Sequence, residues 1–266
     1  MDLNSVSALM KEEIGETMSF LVAGYPVDTI SRQVNSLSKQ FQSLGICYLL
    51  TEGDRYKYQE NLARSAQTRI FLNLALNPDG HGNNRYLGLS RSEAILDALC
   101  AGQLKLALKI VDSAYSSWHR AWEYEDDHLY FKIIHRLTQW IAGQPLMNVA
   151  SDMDRWADVL DGASSTRLEL CKALIDTDVD AFQEAMENFI AERVALFEEK
   201  RLCVASDQAD FWPRQFISTE ALAMLNIAHW LNIAPEDEFE MCPPAALCAF
   251  QDRTFDNFFD EIQALV

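Results

Sequence analysis

The residues able to do chemistry gather in WHRAWEYEDDHLYFKIIHRL, positions 118–137. Glu125 and His128 spell E-x-x-H, which sets a carboxylate and an imidazole one helical turn apart. A metal-dependent helical enzyme would use Glu125, Asp127 and His128. Di-iron bundles, however, need a second such motif and two further carboxylates on facing helices, and the chain spells E-x-x-H once. Asp126-Asp127 begins an aspartate-rich magnesium motif, but Tyr130 stands where its next acid belongs. The stretch therefore predicts no catalytic residue, no metal and no cofactor.

The rest of the chain gives no stronger catalytic signal. It has no G-x-G-x-x-G, no phosphate-binding loop, no G-x-S-x-G and no H-E-x-x-H. His81, His119, His128, His135 and His229 show no zinc-ligand spacing with cysteine, and His135 and His229 lie in apolar helical stretches as core or boundary residues. Cys47, Cys100, Cys171, Cys203, Cys242 and Cys248 stand singly, which reads as reduced core thiols. Nothing near Cys242 would lower its pKa, and Pro243-Pro244 after it reads as a helix start. The expectation is a protein that is not an enzyme.

What the acids could do instead is dock. Trp122 and Tyr124 interleaved with Glu123, Glu125, Asp126 and Asp127 make a hot spot suited to a basic protein. PEDEFE, with Glu236, Asp237, Glu238 and Glu240, is an alternative docking face. A purely structural reading competes with both: acids at a helix start meet the helix dipole favourably, by about 0.3–1 kcal/mol each, with Trp118 and Trp122 packed below. Net charge sharpens the choice. Residues 1–120 carry 12 basic and 12 acidic side chains, and residues 121–266 carry 10 and 28, so the later part holds all of the −18. That sign excludes direct nucleic-acid binding and attracts a basic partner, although solubility alone would also explain it.

Helices must position these groups. Apolar residues recur at three and four from Ser5 to Leu21, and Gly24-Tyr25-Pro26 ends the run. Asp28 is placed to cap the next helix and Gly45 to close it, with ICYLL, 46–50, read as a short strand or a helix continuation. A long helix is predicted from Asp54 to Leu76, then the loop PDGHGNN. Ser90 or Ser92 would cap a helix of about ten residues, Ala101-Gly102-Gln103 turns the chain, and a second helix completes an αα-hairpin. SSTRLELCKALIDTDVDAFQEAMENFIAERVALF repeats the pattern, with its turn at Asp176-Thr177-Asp178. Further helices are expected over 125–142, 149–161, 216–232 and 253–265. The fold class is all-α: a multi-helix bundle of αα-hairpins in a repeat-like array. It forms a single domain, with a candidate sub-boundary at 78–86. No window is apolar enough to span a membrane, and the charged N-terminus does not read as a signal peptide, so a cytoplasmic protein is expected.

Three blocks carry a family resemblance. They are SRSEAILDALCAGQLKLALKIVDSA followed by WEYEDDHLYFKIIHRL, SSTRLELCKALIDTDVDAFQEAMENFI, and FISTEALAMLNIAHWLNIAPEDEFEMCP. In this order, over roughly residues 88–245, they resemble the bacterial immunity protein 49 family. The resemblance implies an all-α protein that binds and blocks a cognate polymorphic toxin in the producing cell. Its family-like positions are Trp122, Glu123, Tyr124, Glu125, Asp126, Asp127, Cys242 and Pro243. Together with the acidity, it points to a toxin with a basic surface, of which a nuclease is the leading class; the sequence leaves a dimer open. A helical-repeat adaptor for another protein stands beside this reading, and the metal-dependent enzyme behind both.

Overall fold

The helical periodicities fold as helices in a computed structural model that describes residues 2–77, 84–202, 209–251 and 254–260. Helix α1 spans Leu3–Val22, α2 Ser31–Glu52 and α3 Arg55–Leu76. Helices α4 (Ala94–Cys100) and α5 (Leu104–Ser113) form the first predicted hairpin. Next come α6 (Glu125–Ile141) and α7 (Val149–Leu160), then the second predicted hairpin, α8 (Thr166–Asp176) and α9 (Val179–Arg201). A single turn, α10 (Phe211–Arg214), precedes α11 (Thr219–Trp230). The described residues hold no strand. Among them no helix is long and apolar enough to cross a membrane.

Local chemistry explains most boundaries. Asp54, Ser165, Asp178 and Ser218 each accept a backbone N–H in the first turn of the helix that follows. Thr177, left-handed at φ 54°, ends α8, and the backbone restarts at once as α9. Elsewhere the expectations need correction. Asp28 does not cap α2: its carboxylate accepts from Thr29 N–H, and Ile30 occupies the cap position. Gly45 does not close α2, which runs on through ICYLL to Glu52. A Cβ at Gly45 would lie 3.0 Å from Tyr58 O and 3.1 Å from Asn61 Cβ, so this glycine lets α2 and α3 approach closely.

Neither Ser90 nor Ser92 caps α4. The chain instead makes two 3₁₀ turns, Arg85–Leu87 and Leu89–Arg91, before α4 starts at Ala94. Buried Arg69 of α3 organises that path by donating to the carbonyls of Tyr86, Leu87 and Gly88. Of the helix expected over 253–265, residues 254–259 are not helical. Gln67 of α3 takes up their backbone groups, donating to Asp256 O and accepting from Phe258 N–H, while Phe259 stacks on Phe71 at 4.7 Å. The proline start at PPAALCAF yields only a 3₁₀ turn, Pro244–Ala246. Residues 78–83 of the predicted loop, with His81, and Cys203 lie outside the described residues.

Two apolar clusters hold the array together. One joins α1 to the outer sides of α2 and α3 through Val6, Met10, Val34, Leu37, Phe41 and Phe71. The larger one joins the inner side of α3 to α4–α9 and α11. Helix α11 is buried over almost its whole circumference, as TEALAMLNIAHW, apolar all round, requires. The described cysteines are free and buried. Burial pushes the thiols of Cys47, Cys171 and Cys242 up to about 12.

Candidate functional site

Helix α6 begins at the acidic motif, with Tyr124 at its cap and Glu125, Asp126 and Asp127 in its first turn. The helix dipole favours acids there, but the carboxylates also have individual partners. Glu125 pairs with Arg155 at 2.7 Å, and Asp127 with Arg167 at 3.3 Å. Glu123 turns inward: Ser90 N–H donates to Oε1 at 2.7 Å, and His128 Nδ1 lies 3.6 Å from Oε2. Burial pushes the Glu123 carboxyl up, but His128 and the Ser90 amide outweigh it and hold the group below the usual carboxylate range. A Cβ on Gly88 would press to 2.9 Å of Glu123 Cδ, so this side chain wedges the 3₁₀ segment in place. Glu123 is therefore held inside the fold, with Ser90 and His128 as its partners. Glu125, Asp127 and His128 do not converge, since each faces a different partner.

The aromatic residues lie differently from the expectation as well. Trp118 is 40% exposed instead of packed below α6, and Tyr124 is 80% exposed. Half-buried Trp122 stacks on His119, with ring centroids 3.7 Å apart. His135 is buried in α6, where burial drives its pKa down to about 3, while His229 is exposed near the end of α11. Among the described residues no group of three or more His, Cys, Asp or Glu is placed to share a metal ion.

Beneath the first turn of α6 lies a polar network. Arg167, at the start of α8, donates to Glu220 of α11 at 2.7 Å and lies over the Tyr130 ring at 4.5 Å. Tyr130 donates to the same Glu220 carboxylate at 2.8 Å, and Arg193 pairs with it from α9. Burial, then the nearby Arg167, lowers the Arg193 pKa to about 10.

Trp122, Glu123, Tyr124 and Asp127 also line a cavity of about 290 Å³. Its other walls come from α2 (Ser38, Lys39, Gln42) and from Arg91, Glu93 and Asp97. Glu93 pairs with Lys39 at 3.4 Å, and 43% of its side chain stays open to solvent. Asp97 is fully enclosed; burial pushes its carboxyl up to about 6, against the hydrogen bonds from Ser65 and Gln42 that lower it. The Asp127 carboxyl is raised too, by burial first and only partly offset by Arg167.

The second acidic stretch is open. Glu236, Asp237, Glu238 and Glu240 are all exposed in the loop after α11, and Asp237 accepts from Gln183 of α9 at 2.7 Å. Beside it, a groove of about 370 Å³ between α8 and α9 is lined by Glu169, Asp176, Asp178 and Glu184, with Lys172 its one cation. None of these groove acids has an ion-pair partner among the described residues. The sequence reading names Asp176 and Asp178 only as a turn and does not name Glu169 or Glu184, although DTDVD at 176–180 sets acids off both apolar stripes and could have marked the hairpin's outer side. Nor did it name the cavity residues of α2 and α4, which lie about 30–90 positions from the motif. One signal was available: Asp97 is the lone acid within apolar AILDALC, and a charge there is either buried or functional.

Compared with known families, curated proteins and solved structures, the chain matches no family model, no curated sequence and no solved fold.

Proposed function

We propose that the chain is a non-enzymatic binding protein that neutralises a toxin by covering its basic surface, as the resemblance to immunity protein 49 implies. The observation that carries the reading is the open acidic surface formed by the α8–α9 groove and residues 236–240, where the carboxylates have no ion-pair partners among the described residues. Pairing these groups with lysines or arginines of a partner costs no native ion pair, and their field speeds encounter. A nuclease fits best as the toxin, because a cleft built for phosphates presents the complementary charge. We place the encounter in the cytoplasm, where such an enzyme finds its substrate.

The test is co-expression with the toxin that a neighbouring gene would encode. Growth should be restored and a stable complex recovered, and Glu169→Lys with Glu184→Lys should weaken that complex at least tenfold with the helical spectrum unchanged. Absence of any complex at micromolar concentration overturns the proposal.

A further inference from the structure

A second cavity, of about 250 Å³, lies between α3, α5 and the chain from Gln251 onward. One wall is the non-helical stretch 254–259, which Gln67 holds against α3 and Phe259 anchors on Phe71. The approach to that wall is fixed at Gly102, left-handed at φ 71°. There Gln251 N–H donates to Gly102 O, and a Cβ on the glycine would lie 2.2 Å from Ala249 O. The backbone thus touches the α4–α5 turn, and beyond it a gap opens beside α5. Buried Phe71 and Phe259, stacked at 11°, back this gap. Ile70, Leu106 and Phe255 are only partly buried and give it an apolar surface that a ligand can touch.

The charge around this cavity is opposite to that of the molecule. Lys105 and Lys109, one turn apart on α5 and both exposed, line it, and among the described residues no carboxylate does. The whole chain carries 40 acidic side chains against 22 basic ones, so such a lining is not its average surface. Asp260 accepts from Asn257 Nδ2 and stays outside the lining. Lys109 has no ion-pair partner among the described residues.

An apolar hollow with cations at its edge suits a ligand with an apolar body and one negative end. Its volume exceeds the roughly 150 Å³ that admits benzene to a core cavity, so a ring with a short acidic arm fits. Three phenylalanines bound the space, and aromatic pairs gain more than the area they bury, which favours a ring over an alkyl chain. An exposed lysine can lay its methylenes along the ring while its ammonium meets the acid. We infer that the cavity binds a small aromatic carboxylate. Its ring lies against Ile70, Leu106 and Phe255, and its carboxylate meets Lys109, with Lys105 beside it. The site shares no residue with the α8–α9 groove or with residues 236–240, so it does not depend on the toxin reading.

Titration with indole-3-acetate, followed by NMR at the Ile70 and Leu106 methyl groups, tests the inference. Shifts that saturate below about 10 mM are expected at both residues. Binding should be about fivefold or more weaker with the uncharged indole-3-acetamide, and likewise with octanoate, which keeps the charge and lacks the ring. Lys109→Gln, at an exposed position that leaves the fold intact, should weaken indole-3-acetate about threefold, the effect of one ion pair within reach of solvent. Leu106→Trp fills the cavity and should abolish the Ile70 shift with the helical spectrum unchanged. Failure to saturate, equal binding of acid and amide, octanoate bound as tightly as the ring acid, or no effect of Lys109→Gln overturns the proposal.

Discussion

The two ends of α8 handle negative charge in opposite ways. At its start, Arg167 joins Asp127 and Glu220, and Tyr130 and Arg193 complete a network closed off from most solvent. At its finish, Asp176 and Asp178 share a groove with Glu169 and Glu184, without ion-pair partners among the described residues. Nine residues of helix separate Arg167 from Asp176, roughly 14 Å at 1.5 Å per residue. The difference teaches that a count of acids is not a count of available charge. WEYEDD concentrates carboxylates, yet the fold engages Glu123, Glu125 and Asp127 itself. DTDVD and PEDEFE look less distinctive, and their acids, though Asp178 caps α9 and Asp237 accepts from Gln183, have no ion-pair partner among the described residues.

The largest expected effect breaks the network end. Glu220→Gln removes the carboxylate shared by Tyr130, Arg167 and Arg193, leaving two arginines facing each other with their common anion gone. Losing one partner of a mostly buried charge network costs about 3 kcal/mol. Urea unfolding at pH 7.5 should show that loss for Glu220→Gln, while Glu184→Gln at the groove should stay within about 0.5 kcal/mol of the parent. Equal effects would erase the contrast between the two ends.

A second effect, on the order of 2 kcal/mol, sits in the cavity beside the network. Asp97 is raised in the folded protein to about 6, above its unfolded value of 3.8. The sign follows: protonated Asp97 favours the fold, this contribution is complete below pH 3.8, and it is lost as pH rises through about 6. Asp97→Asn should therefore stabilise the protein at pH 7.5 and lose that advantage towards pH 4. His135 has the opposite slope, because its folded pKa is lowered to about 3 and its contribution fades as pH falls below 6.5. It acts equally on parent and variant, so the difference between their unfolding curves isolates Asp97. A variant no more stable than the parent at pH 7.5 would show that the ionised Asp97 is fully compensated.

How far the sequence discloses these sites depends on the reach of the signal. Hairpins α4–α5 and α8–α9, and the start of α6, are local: stripes and short turns lie within a few residues of one another and are readable, whereas the entry to α4, set by the 3₁₀ turns that Arg69 holds, is not. Gly45 misleads because its role is contact with Tyr58 and Asn61 of another helix, which no local pattern reveals. Residues 254–259 mislead because Gln67, far upstream, supplies the hydrogen bonds that a helix would have made for itself. The motif at 122–127 was visible as a cluster, but which of its acids face inward was not. That Glu123 turns to Ser90 and His128 is decided by the 3₁₀ turns that Arg69 holds, and these draw on three separate stretches of chain. The cavity is the extreme case, since its walls come from α2, α4 and the start of α6.

The smallest effect sharpens the groove end. Carboxylates gathered without cations repel one another weakly through solvent, so replacing one by a lysine should stabilise the fold slightly. Glu184→Lys is expected to add about 0.3 kcal/mol at low ionic strength and nothing at about 0.5 M salt, where the screening length falls below the spacing of the charges. The same substitution at Asp127 should act in the other direction, since a lysine there would face Arg167. Paired unfolding curves at the two salt concentrations decide this. A groove whose stability ignores both the lysine and the salt does not hold repelling charge, and its acids could not then be the surface that draws in a basic partner. If the gain appears and vanishes with salt as expected, the same variant should slow association with that partner more than it speeds dissociation, because the groove acts at a distance before contact is made.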